Sequence, residues 1–109
     1  MKDDRRYLLH IFECIRRIED DVAEGQTAFE ASHTIQDAVI RNLQVMAEST
    51  RRLSDALKAN QPEIDWAGIV GFRNVVVHDY FTVDTGVVWK IVTDDVPRLK
   101  VAIAQLLEA

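Results

Sequence analysis

Apolar side chains recur three and four residues apart along most of this chain, a spacing that fills one face of an α-helix and does not suit a half-buried strand. From Arg5 to Glu24 the stripe is Leu8, Ile11, Ile15, Ile18 and Val22, broadened by Phe12. Asp3 or Asp4 is placed to open that helix and Gly25 to close it. Gln26 to Ser32 reads as a short polar connection, with Phe29 available to plug the end of a bundle. Ser32 or Thr34 can cap a second, longer helix reaching to about Asn60, whose inner side is Ile35, Val39, Leu43, Met46, Thr50, Leu53 and Leu57. Asn60, Gln61 and Pro62 mark a turn, and Asp65 can cap a third helix from Trp66. Asp84 starts a fourth helical segment through Val87, Val88, Trp89, Ile91 and Val92. Pro97 has no amide hydrogen, so a kink or break is expected near Thr93 to Pro97 before the last turns, Leu99 to Leu107. The expected fold is all-α: a single domain over residues 1–109, an up-and-down bundle of four to five helices.

One segment departs from the amphipathic rule. In GFRNVVVHDYFTVD, Ile69 and Val70 just upstream join Phe72, Val75, Val76 and Val77 to cover most of a helical circumference, so this helix should be buried on more than one side. It is expected to end between Val77 and Phe81, and it delivers Arg73, Asn74, His78 and Tyr80. At roughly 100° per residue, Asn74 and His78 share one face, Arg73 and Tyr80 share another, and Arg73 stands about 140° from His78. Arg73 and His78 converge if the helix loosens, if the arginine wraps around, or if a second subunit brings its copy across. A chain this small buries only about two thirds of its unfolded surface, so a homodimer is a natural way to cover the remaining apolar area.

An imidazole that titrates near neutrality can move a proton to or from a ribose 2′-hydroxyl or a leaving oxygen, and a guanidinium can hold the charge that grows on a phosphate. His78 and Arg73 therefore suit cleavage of RNA without a metal, with Asn74 orienting the ring or binding a phosphate oxygen. On these residues alone, a hydrogen-bonded structural histidine is favoured over a catalyst, and Arg73 and Tyr80 taken singly read as an ion-paired arginine and an interface tyrosine. No metal or cofactor is expected. His10, His33 and His78 are far apart, the single Cys14 reads as a small core residue, and no phosphate-cradling glycine loop is present. A formal net charge of -5 argues against general nucleic-acid binding and gives no reason to expect DNA, although a local basic groove can exist in an acidic chain. Arg41, Asn42 and Glu48 on the outer side of the second helix read as solvated polar residues or as support for a site. MKDDRRYLLH lacks a long apolar run, so neither a signal peptide nor a membrane span is expected, and one cysteine fits a reducing, cytoplasmic setting.

RNVVVHDYF resembles the signature of the HEPN superfamily, arginine then four to six residues then histidine, in its HepT-like toxin branch, where tyrosine follows the histidine by one residue. QDAVIRNLQVMAES, PEIDWAGIVGFRN and VDTGVVWKIVTDDVPRLK resemble the family's flanking segments, so nearly the whole chain is covered. The resemblance implies a helical-bundle homodimer with a ribonuclease site at the subunit interface. It also implies a toxin partnered by a minimal nucleotidyltransferase antitoxin that transfers AMP from ATP to Tyr80. Arg73 and His78 then match the catalytic pair, Asn74 the supporting polar residue and Tyr80 the modified position. Asp79, a carboxylate between His78 and Tyr80, is a mild departure. The rival expectation is a non-catalytic helical module that docks a nucleotidyltransferase, in keeping with the acidic charge.

Overall fold

In the computed structural model the backbone is described for residues 2–78 and 84–108, and the side chains for residues 3–72 and 84–108. Seven α-helices and one π-helical turn follow in order: α1 (Lys2–Asp21), α2 (Gln26–Ala31), α3 (His33–Arg51), α4 (Asp55–Lys58), α5 (Trp66–His78), α6 (Thr85–Lys90), the π turn (Ile91–Asp95) and α7 (Val96–Glu108). There is no strand among the described residues. The start of α1 meets the end of α3 through Asp4 and Ser54, and its end meets the start of α7 through Glu19 and Lys100, so α1 runs antiparallel to both. α1 packs between α3 and α7, and α3 packs between α1 and α5. Ile11, Ile15, Ile18, Leu43, Met46, Leu99 and Ile103 are sealed from solvent where α1, α3 and α7 meet. No described helix is long and apolar enough to cross a membrane.

Three segments differ from the sequence expectation. Gln26 to Ser32 is not an irregular connection: residues 26–31 form the short helix α2. Gly25 adopts φ 95°, a conformation open to glycine, so the chain can turn sharply after α1, which ends at Asp21 instead of Glu24. Phe29 is fully buried against Trp89, with ring centroids 5.3 Å apart, and this tertiary contact holds the short helix in place.

The second helix does not run to Asn60. It stops at Arg51, because Arg52 and Leu53 tighten to three-residue hydrogen bonds on Ser49 and Thr50, and the next amide turns away from the helix. That amide, Ser54 N–H, donates to Asp4 Oδ1 at 2.9 Å, while Ser54 Oγ–H donates to Asp4 Oδ2 at 2.7 Å. Ser54 Oγ in turn accepts from Leu57 N–H and caps α4. A carboxylate fifty residues away thus ends one helix and starts another.

Near Pro97 the helix does not break: α6 runs through the π turn into α7 without interruption, and the wider hydrogen-bonded loops of that turn accommodate the proline ring at the second position of α7. Thr93 Oγ1 donates back to the carbonyl of Trp89 at 3.0 Å.

Asp4 is buried. Burial alone would raise its pKa, but the hydrogen bonds from the side chain and backbone of Ser54 outweigh it and hold the carboxyl below its ordinary value. A folded-state pKa below the unfolded one contributes stability that is present above the unfolded value, near 4, and is lost as pH falls through the folded value. Asp4→Ala should therefore lower unfolding free energy at pH 7 by about 1–3 kcal/mol, the cost of leaving the half-buried donor pair of Ser54 without its acceptor. The gap from wild type should narrow in urea titrations carried into acid below pH 4; a gap that widens there would rule out this account.

Candidate functional site

The helix that carries the motif is fixed at its start. Asp65 Oδ1 accepts from Gly68 N–H at 3.0 Å, so the N-cap expected from the sequence is in place. A Cβ at Gly68 would run into that same carboxylate, which explains the glycine. Trp66 Nε1–H donates to the carbonyls of Lys58 and Gln61, tying the first turn of α5 to the connection before it. From there α5 lies along α3.

Its sequence is apolar nearly all round, yet among its side chains from Trp66 to Phe72 only Ile69 is fully buried; Val70, Gly71 and Phe72 are half-buried. The backbone stays α-helical through Arg73, Asn74 and His78, so up to His78 the helix does not loosen and Arg73 keeps its register about 140° from His78. Within one chain the two positions lie on different sides of the helix. The side chains of Arg73, Asn74 and His78, and the whole of Tyr80, lie outside the described residues.

The chain is described again at Asp84, whose Oδ1 accepts from Gly86 N–H at 2.8 Å and Val87 N–H at 3.3 Å and caps α6 as expected. Thr85 Oγ1–H donates to Glu30 Oε2 at 2.7 Å, and the Trp89 ring packs at a tilt of 39° on Phe29, so α6 is seated on α2. Both ends of the motif are thus anchored, one on α3 and the other on α2.

Among the clefts on the described surface, two bear on the site. One, about 160 Å³, lies beside the start of α5 and is lined by Glu63, Asp65, Ile69, Phe72, Asp95 and Arg98 among others. The other, about 360 Å³, runs between α1 and α3 and is lined by His10, Glu13, Cys14, Arg17, Arg41, Asn42 and Val45. Burial pushes the Cys14 thiol up, as fits the core residue read from the sequence. Glu13 sits between Arg16 and Arg17, whose hydrogen bonds bring its carboxyl down to about 2. Glu48 binds Arg51 at 2.7 Å and lies 3.4 Å from Arg52. No group of three potential metal ligands occurs among the described residues.

The family described as ribonuclease HepT-like matches residues 11–106, from the middle of α1 to the last turn of α7. The chain belongs to the HepT-like ribonuclease family. A Thermococcus cleftensis protein named probable ribonuclease HepT is 35% identical over 102 residues, which are 91% of each chain. A Methanocaldococcus jannaschii protein provisionally named an RNase is 31% identical over 100 residues, 91% of this chain and 92% of its own. A larger protein of that organism, named for a gamma-glutamylcyclotransferase and provisionally for an RNase, is 33% identical over 108 residues. This HepT-like chain is covered to 98% in that comparison but spans only 49% of the relative's length. No solved structure matches it.

In this HepT-like bundle the sequence placed the caps of α3, α5 and α6 correctly, because each acts within three residues. The α1–α3 groove went unread, because its walls are more than twenty residues apart in sequence. The only hint in the sequence was the pair Arg41 and Asn42 on the outer side of α3.

Proposed function

We propose that this chain is the ribonuclease toxin of a toxin–antitoxin pair, working as a homodimer whose two α5 helices bring Arg73 and His78 to one cleft. The observation that carries this reading is α5 itself: apolar on almost every side by sequence, packed mainly on α3, and with only Ile69 fully buried among its described side chains. A second copy of α5 would cover what α3 leaves open. It would also supply the histidine that Arg73 of the same chain, 140° away in register, does not share a face with. Family membership supports the chemistry.

In the proposed reaction a ribose 2′-oxygen attacks the adjacent phosphorus and the bond from phosphorus to the 5′-oxygen breaks. The products are a 2′,3′-cyclic phosphate and a 5′-hydroxyl. His78 of one subunit takes the 2′ proton, its symmetry mate protonates the leaving oxygen, Arg73 stabilises the charge on the phosphoryl oxygens, and Asn74 supports them. No metal is required by this scheme. Silencing would come from a minimal nucleotidyltransferase that moves AMP from ATP to Tyr80, releasing pyrophosphate. A phosphate and a nucleoside two residues past His78 would then occupy the space needed by substrate phosphate.

One experiment tests the chain of claims. The purified protein should cut RNA in excess chelator, and treatment with the nucleotidyltransferase and ATP should abolish cutting in step with a mass gain of AMP. Tyr80→Phe should keep cutting and gain no mass. Absence of cleavage by untreated protein would leave a docking module, and equal labelling of Tyr80→Phe would move the acceptor elsewhere.

A further inference from the structure

We infer that the groove between α1 and α3 is a second nucleic-acid contact, a track that holds the phosphate backbone of a single strand through Arg41 and Arg17. It rests on the ribonuclease reading only for the identity of the strand as RNA.

Electrostatics favour a polyanion here. The chain carries a net charge of -5, yet this groove is lined by two guanidinium groups, Arg17 and Arg41, and one carboxylate, Glu13. That carboxylate is already shared between Arg16 and Arg17, at 2.8 and 3.0 Å. Arg41 makes no ion pair or hydrogen bond among the described residues, whereas Arg16, Arg17, Arg51 and Arg52 are all paired. Its fork of donors is therefore uncommitted in a groove of about 360 Å³, at the small end of the roughly 300–1,000 Å³ typical of ligand sites. Beneath them, burial chiefly keeps the Cys14 thiol neutral, against the pull of Arg17 and Arg41, so the floor adds no negative charge. Asn42 donates one amide hydrogen to the carbonyl of Ala38 at 3.0 Å and retains an amide oxygen able to accept from a ribose hydroxyl.

The row continues beyond the groove. Tyr7 stands one turn before His10, whose ring meets it edge-on at 6.0 Å, and the guanidiniums of Arg6 and Arg52 lie 5.6 and 5.9 Å from the tyrosine centroid. Tyr7, His10, Cys14 and Arg17 follow at intervals of three and four, so they lie along one side of α1 over about 15 Å. Rings and cations in such a line, flanked by Arg41 from the facing helix, form the kind of surface that follows a single strand.

The test is fluorescence anisotropy of a labelled, unstructured RNA oligonucleotide as a function of salt, with all proteins in a His78→Ala background so that the probe stays intact. Losing one phosphate contact to a single strand should lower the slope of log affinity against log salt by about 0.7. Arg41→Gln should show that drop, Arg41→Lys should restore most of it, and Arg98→Gln, in the other cleft, should match the parent. Circular dichroism should be unchanged for all three, since both arginines are exposed. An unchanged slope for Arg41→Gln overturns the inference. So does an unchanged slope with a sedimentation shift toward smaller species, which would make the groove a contact between subunits. Failure of the two readings is separable. If wild type cleaves RNA while Arg41→Gln binds with the parent slope, the track falls alone; if nothing is cleaved but the slope drops as stated, the nuclease falls and the track stands.

Discussion

His78→Ala should reduce RNA cleavage in chelator by about 10²–10⁴-fold, the range over which a positioned general acid or base accelerates proton transfer. Arg73→Ala should cost about 10²–10³-fold through lost stabilisation of charge on the phosphate. Both follow from placing the two residues on an uninterrupted helix, where a five-residue spacing separates them by about 140°. A site that needs both must then draw on two chains or on the reach of the arginine. Two chains make a further demand: specific activity should fall on dilution, as dimers dissociate. The measurement is a time course of end-labelled RNA at several protein concentrations. Undiminished cleavage by both variants removes the catalytic assignment. Activity that is independent of concentration down to the monomer, seen by sedimentation, removes the shared cleft while leaving the chemistry.

How much of this molecule could be read from its sequence depended on the distance over which each feature acts. Leu8, Ile11, Ile15, Ile18, Val39, Leu43, Met46, Thr50 and Leu53, all assigned to inner stripes, are buried as expected. Helical periodicity reports a face directly, and the polar Thr50 is accommodated by donating to the carbonyl of Met46 at 2.8 Å. The caps at Ser32, Asp65 and Asp84 were equally legible, since each side chain meets an amide two or three residues on. The break after Arg51 was not. Nothing near Ser54 forbids a continuous helix, and the residue that stops it, Asp4, is at the other end of the bundle's first helix. α2 was missed for a similar reason: six residues with one anchor have no periodicity to detect. For the motif, the sequence named Arg73, Asn74, His78 and Tyr80 as candidates whose roles belong to the proposal, and the family match spans the segment that holds them. What the structure adds is the setting: a helix capped by Asp65, laid on α3 and incompletely buried from Trp66 to Phe72.

Phe29→Ala should lower the free energy of unfolding by about 3–5 kcal/mol, as expected for emptying a fully buried aromatic site. Phe29→Leu should cost less, because it refills most of the volume. The position matters beyond the size of the cavity. Phe29 is the one buried residue of α2, and its partner Trp89 belongs to α6, the helix that receives the chain after the motif. Without the ring, the described hydrogen bond from α2 to α6 is the exposed one between Thr85 and Glu30, whereas α2 keeps its tie to α3 through the Gln36 amide on the carbonyls of Phe29 and Glu30. Exposed contacts of this kind hold an element weakly, so α6 should loosen before the interface of α1 with α3 does. Cleavage should therefore decline at urea concentrations where far-ultraviolet circular dichroism of Phe29→Ala is still near native, and Phe29→Leu should keep the two transitions closer together. Denaturation is to be compared at one protein concentration, because a dimer's stability depends on it. A loss under about 1 kcal/mol, or activity and helicity lost together in the alanine variant, would mean that α6 is held by something other than this ring pair.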